Sequence, residues 1–307
     1  RNFKLWGQMY SNSFYNINIS KSDNNGIKTT KYASGSQTES YFASNGTVVT
    51  DNVIRVTENN TYTVYVEDLV GNKNVSTITI DKIDKTAPTG TISVSFSSGT
   101  LKGTVSASDN LSGVSSYMYA FTTSTTCPTS GYTESANNSY SFTLSSVGTY
   151  YICTKIKDVA GNISSAIISS AYKYTAPTIT LGTNGNSAYV KGNVSSKITV
   201  SKGSADLSTS TYKYIYSTSN SATPSTSFTS GSSYTLTSAT GKYYLIAKAC
   251  DTNNVCTTKV SNVFYVDNTA PTCSLSVSGT TITGKYSDTG GSGVAYYGYS
   301  SGMTGTT

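Results

Sequence analysis

The chain of 307 residues contains no histidine, and only 12% of its residues are charged. The absence of histidine removes the most common general base and the most common transition-metal ligand from any candidate site. The net charge is +6 with no cluster of Lys and Arg, so the sequence does not indicate nucleic-acid binding. No run approaches the roughly 18 apolar residues that a membrane-spanning helix needs. We therefore expect no enzyme activity, no nucleic-acid partner and no membrane span in this sequence.

Two short motifs recur with a common period. The first, Asp-x-x-Gly-Asn, occurs twice in full, 90 residues apart, and once in degenerate form after a further 93: Asp68, Gly71 and Asn72; Asp158, Gly161 and Asn162; and Asp251. The second, Thr-Ala-Pro, has spacings of 89 and 94 residues, at positions 86–88, 175–177 and 269–271. Two unrelated motifs that share one period predict tandem modules.

The period predicts a lead-in, three complete modules and a truncated fourth: residues 1–10, 11–84, 85–174, 175–268 and 269–307. The proline of each Thr-Ala-Pro fixes φ, and no linker rich in Gly and Ser surrounds it. Short, stiff junctions favour modules arranged lengthwise as an elongated rod. The sequence begins and ends within this pattern, which predicts a fragment of a longer chain.

Each module reads as a set of short strands, and no helical period is present. Alternation of β-branched and aromatic residues predicts six strands in the second module: residues 91–95, 101–106, 116–122, 139–144, 150–157 and 162–171. Six or seven such strands in about 90 residues are typical of a two-sheet β-sandwich. The predicted fold class is all-β.

The Asp-x-x-Gly-Asn motif lies between two predicted strands and therefore forms a hairpin turn. Asp accepts hydrogen bonds from backbone N–H groups of the turn, and Gly71 supplies a positive φ at little cost. In the third copy, Asn253 or Asn254 takes the place of glycine, because Asn tolerates that conformation best among the other residues.

The tyrosines, of which there are 26, repeat at alternate positions on equivalent predicted strands: Tyr117 and Tyr119; Tyr212, Tyr214 and Tyr216; and Tyr297 and Tyr299. One interpretation places their rings in or beside the sandwich core. The other makes them part of a binding face rich in Tyr and Ser, suited to a glycan.

The five cysteines indicate an oxidising compartment. Cys127 and Cys153 lie within one module, and Cys250 and Cys256 flank the turn of the next, so we predict a disulfide within each pair. Cys273 has no partner in its module. We expect that partner after the turn motif beyond Thr307, with an inter-chain disulfide or a free thiol as the alternatives.

Calcium is the one cofactor that the acidic residues suggest. Asp109 and Asp158, with the linker acids Asp81 and Asp84, could converge near the module ends, and hard cations take such oxygen ligands. Their spacing does not match an EF-hand loop, and turn capping explains the same residues. The expectation is therefore no cofactor, with calcium as the alternative.

Several segments resemble a known family. The run from Tyr62 to Asn72, the sequence Ile-Asp-Lys-Thr-Ala-Pro-Thr at residues 83–89, and the elements at residues 109–114 and 288–294 are similar to the bacterial Ig-like repeats of large Gram-positive surface proteins. The resemblance implies an Ig-like sandwich, secretion and attachment to a cell surface.

The function predicted on this basis is an extracellular structural or adhesive stalk. Its partner would be a protein or glycan of a host or neighbouring cell. The alternatives are a subunit of a polymeric surface filament or virion fibre, which self-assembles through edge strands, and a set of glycan-binding modules that use the tyrosine faces.

Overall fold

Alternating apolar and hydroxyl-bearing residues form β-strands throughout the chain. A computed structural model describes residues 9–298, and its only helical segment in that range is a short 3₁₀ turn at Glu39–Ala43. Most of the predicted lead-in, the end of the fourth module and Tyr299 lie outside the described residues. The described residues include no helix that is long and apolar enough to cross a membrane.

The first module forms two sheets. Its strands are β1 (Tyr15–Asn18), β2 (Ile27–Ser34), β3 (Thr47–Val48), β4 (Val53–Val56), β5 (Asn60–Asp68) and β6 (Lys73–Ile80). One sheet pairs β1 with β4, and the other has the order β3-β2-β5-β6. Alternate side chains from both sheets, including Ile17, Ile54 and Ile80, are buried in a common core.

The second module has a three-stranded and a five-stranded sheet. Its strands are β7 (Thr89–Ser97), β8 (Thr100–Ser108), β9 (Val114–Thr122), β10 (Thr133–Ser135), β11 (Ser139–Thr143), β12 (Gly148–Asp158), β13 (Ile167–Ile168) and β14 (Tyr172–Tyr174). The sheet orders are β11-β8-β7 and β10-β9-β12-β13, and β14 also pairs with β12.

The third module repeats this arrangement. Its strands are β15 (Thr178–Leu181), β16 (Val194–Ser201), β17 (Leu207–Ser217), β18 (Thr226–Ser227), β19 (Ser232–Leu236), β20 (Gly241–Asp251), β21 (Cys256–Val260) and β22 (Phe264–Val266). The sheet orders are β15-β16-β19 and β18-β17-β20-β21, with β22 also on β20. A final hairpin pairs β23 (Thr272–Ser278) with β24 (Thr281–Ser287).

The recurrence of three-stranded and five-stranded sheets confirms the predicted all-β, Ig-like sandwich fold. Backbone contacts divide the chain into two compact units. Among the described residues, the first comprises 9–95, 102–142 and 150–172, and the second comprises 96–101, 143–149 and 173–298. The module boundaries and the lengthwise arrangement stay predictions.

The last strand predicted in the second module, residues 162–171, is wrong as a continuous strand. Only Ile167–Ile168 pairs as a strand there, and Tyr172–Tyr174 follows separately. Serine hydroxyls interrupt the ladder, because Ser164 Oγ and Ser169 Oγ accept the backbone N–H groups of Ile156 and Ile152 at 2.9 and 3.0 Å. Such side-chain bonds compete with strand pairing.

The repeated tyrosines belong mainly to the core. Tyr119 and Tyr212 are 1% and 3% exposed, and the partly buried Tyr214 and Tyr216 pack against the core of the third module. Tyr216 also donates a hydrogen bond to the Tyr234 carbonyl at 3.0 Å. These contacts favour the packing interpretation over a free binding face, since rings held in a core cannot stack on a ligand.

Both predicted disulfides are present. Cys127 and Cys153 are joined across 26 residues with a Cα–Cα distance of 5.7 Å, and this bond ties the loop after β9 to β12. Cys250 and Cys256 are directly paired residues of β20 and β21, with a sequence separation of 6. Cys273 is free and exposed.

The two disulfides should differ in their contribution to stability. Loop-closure entropy predicts a loss of about 3 kcal/mol for Cys127→Ala with Cys153→Ala, and about 2 kcal/mol for Cys250→Ala with Cys256→Ala. Urea unfolding of each double variant against the parent chain measures the difference. An equal or larger loss from the shorter loop would contradict the entropic account.

Candidate functional site

The repeated turn is built around a buried aspartate. Asp68 is 4% exposed, and its Oδ1 accepts the N–H groups of Val70 and Asn72, each at 2.9 Å. Its Oδ2 accepts the Asn72 side-chain amide at 2.7 Å. Burial acts to raise the pKa of Asp68, but the hydrogen bonds, chiefly those from Asn72, outweigh burial and lower the pKa. Gly71 has φ of 97°, which explains the glycine in the motif.

The other two copies keep the same turn. Asp158 bonds both the backbone N–H and the side-chain amide of Asn162 at 2.7 Å, and Asp251 accepts the N–H groups of Asn253 and Val255 at 2.9 Å. In the third copy Asn254 holds the glycine position, with φ of 62°. Asn253, the other residue considered from the sequence, instead donates its side-chain amide to the carbonyls of Gly99 and Leu144, each at 2.7 Å.

Three aspartates that the sequence named as calcium candidates converge within the first unit. One carboxylate oxygen each from Asp84, Asp109 and Asp158 lies within 4.8 Å of the others. Asp84 and Asp158 are both 1% exposed, whereas Asp109 is partly exposed. Asp81, the fourth acid considered, is exposed and is not among the three clustered aspartates.

Backbone donors satisfy most oxygens of this carboxylate cluster. Asp84 accepts the N–H groups of Thr86 and Ser112 at 3.0 and 2.8 Å. Asp109 Oδ2 accepts those of Leu111 and Gly113 at 3.1 and 2.8 Å. The remaining Asp109 oxygen, Oδ1, is buried and accepts no hydrogen bond within the described part of the chain. The cluster therefore combines turn capping with one unused oxygen.

The arrangement of Asp84 recurs at the boundary between the third and fourth modules. Asp267 accepts the N–H and hydroxyl of Ser292 on one oxygen, as Asp84 accepts the N–H of Ser112. Hydrogen bonds from Ser292 lower the pKa of Asp267. The role of these serines was not predicted, although the spacing from Asp109 to Ser112 and from Asp288 to Ser292 within similar elements was a usable signal.

The two residues directly before the second Thr-Ala-Pro are Lys173 and Tyr174, and neither is an aspartate. The buried Tyr174 hydroxyl donates a hydrogen bond to Asp251 Oδ2 at 2.7 Å. The turn aspartate of the second unit therefore contacts a neutral phenol, whereas the turn aspartate Asp158 of the first unit lies close to two other carboxylates. The two arrangements have opposite electrostatic consequences, since a phenol donor stabilises a nearby carboxylate and a second carboxylate destabilises it.

The carboxylate cluster can do two things chemically. Its oxygens are hard ligands that suit Ca²⁺, and the unused Asp109 Oδ1 is available for such an ion. Alternatively, the aspartates act only as acceptors for backbone N–H groups, at the cost of placing like charges together. Both functions use the same side chains, so the chain offers variants that separate them.

Acid should destabilise the first unit through Asp84. Burial acts to raise the pKa of Asp84, but the hydrogen bonds from Ser112 and Thr86 outweigh it and lower the pKa. A lowered folded-state pKa gives stability above the unfolded pKa of about 4, and this stability is lost as pH falls through the folded value. Asp84→Asn should flatten the fall of melting temperature between neutral and acid pH. The exposed control Asp81→Asn should leave the pH dependence of the melting temperature as it is in the parent. The same pH dependence in the parent and in Asp84→Asn would contradict the prediction.

Removing one charge from the carboxylate cluster should stabilise the unit when divalent ions are absent. Asp109→Asn keeps an oxygen for the Leu111 and Gly113 N–H groups and relieves repulsion, for a gain of roughly 1 kcal/mol after solvent screening. Thermal unfolding in chelator measures it. Repeating the measurement in millimolar calcium distinguishes the two functions. If calcium raises the melting temperature of the parent more than that of the variant, Asp109 binds the ion. If calcium changes both melting temperatures equally, turn capping is the only function of Asp109.

Comparison with known proteins gives only distant structural similarity. No protein-family model matches the chain, and no curated protein matches it. Among solved structures, the chain resembles fibronectin(III)-like modules of Clostridium thermocellum CbhA, with 14% identity, a TM-score of 0.26, and coverage of 52% of this chain and 85% of that chain. It also resembles three N-terminal domains of the bacteriophage RB49 highly immunogenic outer capsid protein Hoc, with 12% identity, a TM-score of 0.29, and coverage of 84% and 95%. Because these TM-scores are low, the fold assignment is based on the strand order of the sheets described above and not on these similarities.

Proposed function

We propose that this chain is a non-catalytic, extracellular structural or adhesive stalk that projects a binding region from a cell surface. The observation that carries the proposal is repetition: two consecutive modules keep the same three-stranded and five-stranded sheets. The turn aspartate recurs at the same step along the chain. A chain that repeats one scaffold with one set of structural residues is suited to providing length.

The disulfides support an extracellular location. Each closes a loop within one module, and such bonds persist in oxidising compartments and are rare in reducing ones. Each bond also stabilises a small core, whose size alone gives only marginal stability. Attachment to a cell surface is the part of the proposal that comes from the family resemblance.

The buried acids support a structural role for residues that could otherwise suggest catalysis. Asp68, Asp158 and Asp251 each accept two or more hydrogen bonds from their own turn. Carboxylates committed in this way maintain backbone geometry. Any ligand of the stalk, a protein or glycan of a host or neighbouring cell, would then bind through surface residues.

A second candidate function, a subunit of a polymeric filament, is consistent with the unpaired strand edges of the described sheets, which could pair with strands of other chains. The glycan-binding alternative has less support, since Tyr119, Tyr212, Tyr214 and Tyr216 are engaged in packing. Tyr297 is exposed but stacks on Tyr286.

A stalk predicts an extended molecule in solution. A compact protein of this length would have a radius of gyration of about 19 Å. Small-angle scattering of the oxidised chain at low concentration should give a clearly larger value, with a distance distribution that has a long tail. A value near the compact estimate, from a sample of monomer mass, would contradict the stalk.

A further inference from the structure

The two disulfides differ in how far solvent reaches their cysteines. In the second module Cys153 is 0% exposed and Cys127 is partly buried, so that bond is shielded on both sides. In the third module Cys250 is 5% exposed, but its partner Cys256 is exposed. Exposed disulfides are the labile ones, because an incoming thiol must reach a sulfur atom before it can exchange. Of the four bonded cysteines, Cys256 is the one open to such an attack.

This exposed cysteine lies away from the point where the chain leaves its module. Cys256 pairs with Cys250 at the turn end of β20, whereas Val266, the last strand residue before the junction, pairs with Gly241 at the other end. β20 has 11 residues, so its two ends are roughly 30 Å apart. The residues after Val266 therefore start at the far end of the sheet, and the exposure of Cys256 is a property of the third module itself.

The sheet face that carries the bond also carries positive charge. Ala247 and Ala249 of β20 belong to the core, so the alternate residues Lys248 and Cys250 lie on the outer face. Lys213 of β17 is directly opposed to Lys248 and shares that face. Lys248 is exposed and forms no ion pair within the described part of the chain. A nearby cation favours the thiolate form, both of an incoming thiol and of the Cys250 sulfur as it leaves.

The hairpin around the bond has other restraints that hold it together. Five consecutive residue pairs join β20 to β21. The turn between the two strands is closed by Asp251, which accepts the N–H groups of Asn253 and Val255. The disulfide itself spans a sequence separation of only 6, for which the loop-closure contribution to stability is small. Breaking the bond should therefore leave the module folded, and exchange can take place on the native chain.

We propose that Cys256 is a site of reversible modification by low-molecular-weight thiols, through exchange with its bond to Cys250. A thiolate attacks Cys256 Sγ and forms a new S–S bond with it. The bond between Cys256 and Cys250 breaks, and its electron pair leaves on Cys250 Sγ, which takes a proton from water. A second thiol that attacks the mixed disulfide releases Cys256, so two thiols are oxidised to one external disulfide as the protein bond is reduced.

The proposal separates a reactive bond from a structural one in the same chain. Cys127–Cys153 ties a loop to β12 and is shielded, whereas Cys250–Cys256 is open to thiols from one side only. The site does not depend on the stalk function, since a stalk whose two bonds resist thiols equally would keep its structural role and lose only this chemistry.

Timed reduction of the full chain tests the selectivity. Cys273 is first alkylated with iodoacetamide, so that its free thiol cannot exchange, and the native chain is then incubated with reduced glutathione. Quenching with N-ethylmaleimide and peptide mapping should show Cys250 and Cys256 labelled about tenfold faster, or more, than Cys127 and Cys153. Equal rates for the two bonds, or faster reduction of Cys127–Cys153, overturns the proposal.

The dependence of the rate on thiol concentration shows whether the native chain reacts. Direct attack on Cys256 predicts a rate that rises in proportion to glutathione, with no change in the circular dichroism of the chain. A rate that reaches a plateau, at the same value for both bonds, would mean that the protein must unfold before either bond is reached. That result contradicts exchange at an exposed site.

Two matched variants test which sulfur atom is attacked. Cys250→Ala leaves the exposed thiol of Cys256, and Cys256→Ala leaves the buried thiol of Cys250. With oxidised glutathione, Cys250→Ala should form a mixed disulfide at Cys256 about tenfold faster, or more, than Cys256→Ala forms one at Cys250. Equal melting temperatures of the two variants show that both are folded to the same degree. Equal reactivity, or faster reaction at Cys250, overturns the assignment of Cys256 as the site.

Discussion

The capture of backbone N–H groups by a buried carboxylate is the constraint on which each module depends. Asp251 is fully buried and Asp158 nearly so, and each closes the turn that ends an 11-residue strand of its five-stranded sheet. A buried carboxylate is costly unless hydrogen bonds replace its water shell. The turn supplies those bonds from residues two to four positions after the aspartate. The N–H groups of the turn thus gain an acceptor, and the carboxylate gains the donors that replace water. The Asp-x-x-Gly-Asn spacing follows from this local exchange.

A second constraint comes from the hydroxyl-rich composition. Three serines each form two hydrogen bonds with one residue of the neighbouring long strand: Ser164 with Ile156, Ser169 with Ile152 and Ser261 with Leu245. In each pair the serine Oγ accepts the backbone N–H of the strand residue, and the serine N–H donates to its carbonyl. The strand that follows each turn can therefore leave the ladder without orphaning buried groups on β12 or β20. This is how the edge of the five-stranded sheet is interrupted in the second module while Ile152 and Ile156 remain in the core.

The features predicted correctly from the sequence are those that local chemistry determines. The turns follow from Asp and a residue that tolerates positive φ, and the cysteine pairs follow from their places around the predicted strands. The broken last strand was missed because a run of β-branched residues at 162–171 does not show which serines will turn inward. The convergence of Asp84, Asp109 and Asp158 could be suggested but not established, since it joins residues up to 74 positions apart through tertiary structure.

The junction chemistry shows how one period can hold different electrostatics. At the first Thr-Ala-Pro, Asp84 places its charge within 4.8 Å of the turn aspartate Asp158, whereas at the second, Tyr174 offers a hydroxyl to Asp251. Both arrangements fill the same structural need, a polar contact between the chain entering a module and a turn aspartate. Only the first places a second negative charge beside the buried turn aspartate, so only the first would gain from a bound cation. Sensitivity to ions and acid is therefore a property of individual junctions and is not fixed by the repeat itself.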